Sequence, residues 1–170
     1  AVPILMVAVP HDDVSDATLY SLRQAVQRSL GIRPGARLAC VTVISPNQTS
    51  STDAERSETA AQRQYLTMLK QWAQPLDLGG HQTSYHVLEA SDVADALVRY
   101  ATGNHVSMIV MGAATHGLAM QRFVATVPIK VAMDAPCTVI LVKSHMPFSV
   151  WEEGANAAHA ERQRSDDVPF

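Results

Sequence analysis

The fold of this chain is decided by the stretch Val106–Val142, V-S-M-I-V-M-G-A-A-T-H-G-L-A-M-Q-R-F-V-A-T-V-P-I-K-V-A-M-D-A-P-C-T-V-I-L-V. It opens with an apolar run from Val106 to Met111, which predicts a strand buried on both faces. Gly112 ends that run and is interpreted as the residue of a tight turn. A loop of small and polar residues, 113–119, follows.

An amphipathic segment comes next, with Val124, Val127 and Val131 at the spacing of one helix face. That helix is predicted to end at Asp134–Pro136, because proline disfavours the helical conformation of the residue before it. Cys137–Val142 is a second apolar, β-branched run and predicts another strand. The unit is strand, loop, helix, strand, and its loop lies at the carboxyl end of a strand, where open α/β sheets bind ligands.

The rest of the chain repeats this alternation of apolar runs and amphipathic segments. The predicted strands are Ile4–Val9, Leu38–Ile44 and Thr83–Leu88, and the helix faces carry Leu19, Leu22, Val26 and Leu30, then Ala61, Tyr65, Met68 and Trp72, then Val93, Leu97 and Ala101. The order βαβαβαβαβ predicts an open, doubly wound parallel sheet of five strands with helices on both faces.

Polar residues mark the predicted boundaries of the helices. Ser15 or Asp12 is predicted to cap the first helix, and Ser91 the third, with Asp92 complementing the helix dipole. Residues 45–57 are rich in Ser, Thr, Asp and Asn and predict a polar loop before the second helix.

Length and composition limit the class of protein. A chain of 170 residues predicts one domain, and 47% hydrophobic with 17% charged residues is typical of a globular fold. The formal net charge of −3 gives nucleic-acid binding no support. The apolar run Val2–Val9 is too short to span a bilayer. We therefore expect a soluble, cytoplasmic protein with no nucleic-acid or membrane partner, in which Cys40 and Cys137 are small core residues.

Taken together, residues 106–142 resemble the C-terminal signature of the universal stress protein family. In the nucleotide-binding branch of that family a glycine ends strand four, a second glycine follows after two residues, and Gly-Ser or Gly-Thr follows after nine more. Here the first glycine is Gly112, the second position holds Thr115, and the third pair is Ala125-Thr126, followed by the usual valine, Val127. The spacing is intact, while two of the three glycines are replaced.

The resemblance covers roughly residues 4–143 and implies the strand order 3-2-1-4-5. It divides the chain into a universal stress protein-like domain, residues 1–144, and a C-terminal extension, residues 145–170. A narrower likeness is to such domains fused to bacterial serine/threonine protein kinases, carried by P-G-A-R-L-A-C-V-T-V, Y-H-V-L-E-A and A-P-C-T-V. It implies a regulatory partnership with a kinase domain.

The resemblance also implies a site for an adenine nucleotide, ATP with Mg²⁺ or another, although a chain that binds no nucleotide is the alternative. The implied site residues are Pro10, Val43, Gly112, Thr115, Ala125, Thr126 and Val127. The base would lie near strand two and the phosphates on the backbone of Gly112 and Thr126. Pro10 stands where binding members have an aspartate, and Pro10 and Thr115 would close the cleft in the nucleotide-free alternative.

The family resemblance further implies a homodimer through strand five, Thr138, Val139, Ile140, Leu141 and Val142. That run is apolar and has no proline or charge within it, so its free edge requires a cover. A two-fold dimer provides one, and a fold-back of the tail from His145 is the alternative.

Two other classes of function find less support in the residues. We expect no enzyme, because the sequence has no Walker-type, H-E-x-x-H or G-x-S-x-G motif and no metal-ligand spacing among its seven histidines. A phospho-accepting receiver domain would use an acidic pair after strand one, Asp12 and Asp13, with Thr115 and Lys143. However, it would require an aspartate where strand three ends, and the chain has Glu89 there.

Overall fold

The computed structural model describes residues 2–12, 14–46, 52–113 and 127–143. Within them, five strands alternate with four helices. The elements are β1 (Ile4–Ala8), α1 (Asp16–Ile32), β2 (Arg37–Ile44), α2 (Thr52–Ala73), β3 (Thr83–Glu89), α3 (Val93–Gly103), β4 (Met108–Gly112), α4 (Val127–Asp134) and β5 (Thr138–Val142). The predicted alternation of strands and helices is confirmed. The proposed extension, residues 145–170, lies outside the described part.

All neighbouring strands are parallel, in the order β3-β2-β1-β4-β5. This confirms the fold class and the strand order that the family resemblance implied. The chain first builds outward from β1 to β2 and β3, and then returns to place β4 on the other side of β1. β1 is therefore central, and Val7 pairs with Cys40 of β2 and with Val110 of β4.

The protein has two hydrophobic cores, one on each face of the sheet, because successive residues of a strand point to opposite faces. Val7 packs in one cluster with Leu22 of α1 and Leu69 of α2. Met6 packs in the other with Leu97 of α3 and Val131 of α4. Every one of these side chains is at least 98% buried. Burial of each contributes about 1.5–3 kcal/mol, so both faces of β1 are held firmly in place.

The helix starts agree with the predictions in one case and differ in two. Ser15 caps α1, and its side chain accepts a hydrogen bond from the backbone N–H of Thr18 at 3.2 Å. In α3 the cap is Asp92, which is extended (φ −102°, ψ 102°) and accepts from the N–H of Asp95. The prediction of Ser91 was wrong by one residue, since either side chain can serve as a cap and only the backbone geometry distinguishes them.

The second difference concerns α2, which begins at Thr52, so the predicted polar loop over 45–57 was too long. Ser, Thr and Asp favour loops and helix starts alike, so composition alone does not fix the residue at which the loop ends. The buried face of α2 is then completed by Leu69, Trp72 and Ala73.

The two cysteines are free thiols in strands or at their ends. Cys40 lies in the core of β2, and burial raises its pKa to about 12. Cys137 is half-buried beside β5, and burial raises its pKa as well. Cys40 is a core residue, as expected. Among the described residues, no helix combines the length and apolarity that a membrane span requires.

Replacing Asp92 with alanine should lower the free energy of unfolding by about 1 kcal/mol, because the N–H of Asp95 loses its cap. Ser91→Ala is the matched control and should change it by less than about 0.5 kcal/mol. Urea denaturation followed by circular dichroism measures both. Equal losses in the two variants would contradict the assignment of Asp92 as the cap.

Candidate functional site

A cleft of about 700 Å³ opens at the carboxyl ends of β1, β2 and β4. It lies beside β1, where the strand order reverses, which is the position of ligand sites in open α/β sheets. The starts of α1 and α4 and one face of α3 complete its wall. Its size is within the usual range of small-molecule sites, 300–1,000 Å³.

Four of the seven residues that the family resemblance implied for a nucleotide site line this cleft: Pro10, Val43, Gly112 and Val127. Pro10 lies in the loop after β1, and the others come from β2, β4 and α4, so the fold brings them together. Pro10 lies in the wall of the open cleft and does not fill it. The other three, Thr115, Ala125 and Thr126, lie outside the described residues.

Gly112 is the last residue of β4 and pairs with Val142 of β5. The described glycines with a positive φ are Gly35 and Gly80, so the backbone of Gly112 is one that any residue adopts. Among the described residues, a Cβ atom there would approach only the Thr18 Cγ2, at 3.9 Å, which is ordinary contact. The interpretation of Gly112 as a tight-turn residue was therefore wrong. Its missing side chain instead leaves room in the cleft.

The backbone of Val43 forms part of the cleft wall. It is left without a neighbouring strand on the β1 side, because β1 ends at Ala8 while β2 continues to Ile44. The Val41 carbonyl still accepts a hydrogen bond from the N–H of Val9, at 2.8 Å. Alternate residues of a strand bond to the same neighbour, so Val43 faces the space beyond the end of β1. Its carbonyl accepts a hydrogen bond from His11 Nε2 at 2.8 Å.

Charged side chains lie on two sides of the cleft. Asp12 follows β1, and its side chain is 84% exposed, whereas Lys143 follows β5. Neither residue is among the seven that the family resemblance implied for the nucleotide site, and His11 was not predicted to line it. The signal was present, because all three come within four residues after a predicted strand, and the carboxyl ends of parallel strands meet at one edge of the sheet.

A second cavity of about 380 Å³ lies against α2. It is lined by His11, Asp12, Ile44, Ser45, Pro46, Ala61, Tyr65 and Glu89. His11 and Asp12 line both cavities and so form the wall between them. In the described part of the chain, no three His, Cys, Asp or Glu side chains are grouped as a metal site would need.

Comparison with known proteins identifies the family. Residues 6–143 match the sequence profile of the Universal stress protein family. The chain belongs to this family. No curated protein matches the chain closely enough to add a more specific relationship.

Solved universal stress proteins share the fold at low sequence identity. One in complex with cAMP is 20% identical, with a TM-score of 0.61 over 85% of this chain and 99% of that one. One from Archaeoglobus fulgidus in complex with dAMP is 20% identical, with a TM-score of 0.51 over 84% and 98%. One from Arabidopsis thaliana with AMP bound is 14% identical, with a TM-score of 0.56 over 84% and 92%.

The strand order rules out the receiver-domain alternative. Receivers of the flavodoxin-like type have the order 2-1-3-4-5, with strand three at the centre. In this universal stress protein β3 is an edge strand, so Glu89 lies two strands away from the reversal point. Lys143 lies on the opposite side of β1 from Glu89. Among the described residues, Glu89 and Lys143 are therefore not brought together as a phospho-acceptor site would require.

Gly112→Ala should leave the free energy of unfolding within about 0.5 kcal/mol of the unsubstituted protein, because neither the backbone nor the packing of the described residues requires glycine. Gly35→Ala is the control that should lose stability, since Gly35 has φ +80°. Chemical denaturation measures both. A loss above about 1.5 kcal/mol in Gly112→Ala would restore the interpretation of a structural glycine.

Proposed function

We propose that this universal stress protein binds an adenine nucleotide in the 700 Å³ cleft and acts as a regulatory binding module rather than as an enzyme. The observation that carries the proposal is the shape of the cleft floor. There the backbone of β2 extends past β1, and Gly112 has no side chain although neither its backbone nor its described neighbours require glycine. Such a floor lets a ligand approach the backbone closely.

The proposed position of the nucleotide follows from the chemistry of the wall. A planar base fits beside Val43, where a carbonyl faces the space beyond β1. The Asp12 carboxylate at the mouth can accept hydrogen bonds from ribose hydroxyls. Phosphates fit near Gly112 and the start of α4 at Val127, where the helix dipole favours negative charge. Lys143 supplies a cation on that side.

The ligand class is supported by the solved relatives, which hold cAMP, dAMP and AMP. These are adenine nucleotides with a single phosphate. For ATP we propose that Mg²⁺ accompanies the ligand, because the Asp12 carboxylate lines the same cleft and would otherwise repel a triphosphate. Thr126 directly precedes α4 in the sequence, and its hydroxyl is proposed to serve a phosphate.

We propose binding without turnover because the hydroxyl groups described in the cleft have structural roles. The Ser15 hydroxyl caps α1 and lies 2.9 Å from the Thr18 hydroxyl. The buried Thr42 hydroxyl donates to the Val9 carbonyl at 2.7 Å and fixes the end of β1. Neither arrangement is that of an activated nucleophile. ATP hydrolysis in excess of the buffer rate, lost in Gly112→Val, would overturn this part of the proposal.

Calorimetric titration should show micromolar binding of AMP, or of ATP with Mg²⁺, and Gly112→Val should weaken it at least tenfold by filling the floor of the cleft. Thr126→Ala should lower the affinity for ATP by a larger factor than the affinity for AMP. Gly31→Val is the control, because Gly31 lies in the last turn of α1 with open space around it.

Absence of binding up to millimolar AMP and ATP would contradict nucleotide binding. Equal affinity in the unsubstituted protein and Gly112→Val would contradict the position given to the phosphates and leave the ligand class standing. The first of these outcomes, absence of binding, would move the weight to the second candidate, a nucleotide-free dimer that acts only through protein partners.

A dimer through β5 is favoured by the exposure of that strand. Among the described strands, β5 pairs only with β4, so its outer edge carries unpaired backbone groups. Leu141 is 41% exposed, and Thr138 is exposed. An isologous contact between two β5 edges would satisfy both the backbone and the apolar surface.

Leu141→Lys should convert a dimer into a monomer, because it places two charges close together at a two-fold interface. Analytical ultracentrifugation should give twice the chain mass of 18.4 kDa for the unsubstituted protein and the single mass for the variant. Ile32→Lys is the control on an exposed apolar residue at the far end of α1. A monomeric unsubstituted protein would contradict the dimer.

We also propose that the module works in the bacterial cytoplasm and regulates a protein kinase domain or another partner. The support is the sequence likeness to kinase-fused universal stress domains. The test is co-sedimentation of this protein with the serine/threonine kinase domains of its source organism, with and without nucleotide. If the two proteins sediment separately under both conditions, regulation of a kinase domain is contradicted.

A further inference from the structure

His11 lies between the two cavities. Its side chain is only 16% exposed and lines both the 700 Å³ cleft and the 380 Å³ cavity beside α2. Its ring meets the Tyr65 ring edge to face, with centroids 5.0 Å apart and an interplanar angle of 66°. The imidazole thus stands as a flat heteroaromatic group inside the proposed nucleotide site.

The hydrogen bond to Val43 determines which ring nitrogen of His11 carries a hydrogen. A carbonyl oxygen only accepts, so Nε2 donates to the Val43 carbonyl across 2.8 Å. Nδ1 is buried and lies 3.0 Å from the Asp12 Oδ1, a contact between a ring nitrogen and a carboxylate that is not aligned as a hydrogen bond. The ring is therefore held by a directed hydrogen bond at Nε2 and only by the nearby Asp12 carboxylate at Nδ1.

The Val43 carbonyl is the group that a bound base would use. It faces the space beyond the end of β1, on the proposed floor of the base site. An adenine amino group is a donor, as Nε2 of His11 is, and both groups belong to planar nitrogen heterocycles. The imidazole and the base would thus compete for one carbonyl and for the space beside it.

We propose that His11 is an internal occupant of the base subsite and that it swings away from Val43 when an adenine nucleotide binds. This inference rests on the proposed function, because it concerns the same site. Outward rotation of the ring joins the cleft to the second cavity. The base then takes the place of the imidazole, donates its amino group to Val43, and lies against the edge of Tyr65.

In this arrangement His11 opposes binding of the base, which a residue that only lines the cleft does not do. Binding of the base requires the loss of the hydrogen bond to Val43 and of the ring contact with Tyr65. Removing the imidazole removes that competition. His11→Ala should therefore bind AMP about tenfold more tightly than the unsubstituted protein, whereas a residue that only lines the site loses affinity when truncated.

Calorimetric titration of the full chain with AMP is the first measurement. His81→Ala is the matched control, because His81 is also half-buried and its Nδ1 donates to a backbone carbonyl, that of Ala36, at 2.7 Å. His81 precedes β3 and so lies at the amino ends of the strands, whereas the cleft lies at their carboxyl ends. The affinity of His81→Ala for AMP should therefore equal that of the unsubstituted protein.

Imidazole ¹⁵N spectra of the unsubstituted protein are the second measurement, and they do not depend on the folding of a variant. Without ligand, His11 should show Nε2 protonated and hydrogen bonded. At saturating AMP its signals should move to those of a solvent-exposed ring. Retention of the hydrogen-bonded signals in the AMP complex would overturn the proposal.

The outcomes separate this inference from the proposed function. AMP binding that is tighter in His11→Ala supports both. AMP binding that is equal or weaker in His11→Ala overturns the role of His11 and leaves the function standing. Binding by His11→Ala alone supports the role of His11 and overturns nucleotide binding by the unsubstituted chain. Absence of AMP binding in both proteins overturns both.

Discussion

The structure depends on the pairing of β1 with β2 on one side and β4 on the other. β1 is the central strand, and the packing on its two faces belongs to different pairs of helices. Because the chain leaves β1 toward β2 and later returns to β4, the loops above these strands diverge and a crevice opens between them. The cleft is thus a consequence of the strand order and not of any one residue in it.

The same constraint places the cleft directly on the core. Side chains along the strands fill the two cores, and near the carboxyl ends some of the same residues, such as Val43 and Met111, also line the cleft together with the loop residues that follow. β1 stops at Ala8 and β2 continues to Ile44, so one carbonyl, that of Val43, is left facing the crevice. His11 satisfies it. A polar backbone group in such a position needs a partner, which a ligand can also provide.

Gly112 is the position at which the glycine signature of the universal stress protein family and the cleft of this chain coincide. Two of the three glycines of the nucleotide signature are replaced, at Thr115 and Ala125, yet the one that remains lies at the end of β4 in the wall of the cleft. Its backbone is ordinary and its surroundings have room for a side chain. Gly112 therefore leaves the wall of the cleft open at the end of β4.

Much of the fold could be predicted from the sequence, because the period of apolar residues reports local geometry directly. Continuous runs such as Leu38–Ile44 mark buried strands, and the spacing of Leu22, Val26 and Leu30 marks one face of a helix. Helix ends were less well determined. Ser91 and Asp92 are equivalent as caps in sequence, and only the extended backbone of Asp92 decides between them.

By itself, therefore, the sequence determined the α/β class, the family, and the strand ends from which a site must be built. Only the tertiary structure decided which of those ends share a cleft, that the described neighbours of Gly112 leave room for a side chain, and that His11 donates a hydrogen bond to the carbonyl of Val43. The physical reason is distance along the chain. His11 and Val43 are separated by 32 positions, and no local pattern records a contact that only the pairing of β1 with β2 creates.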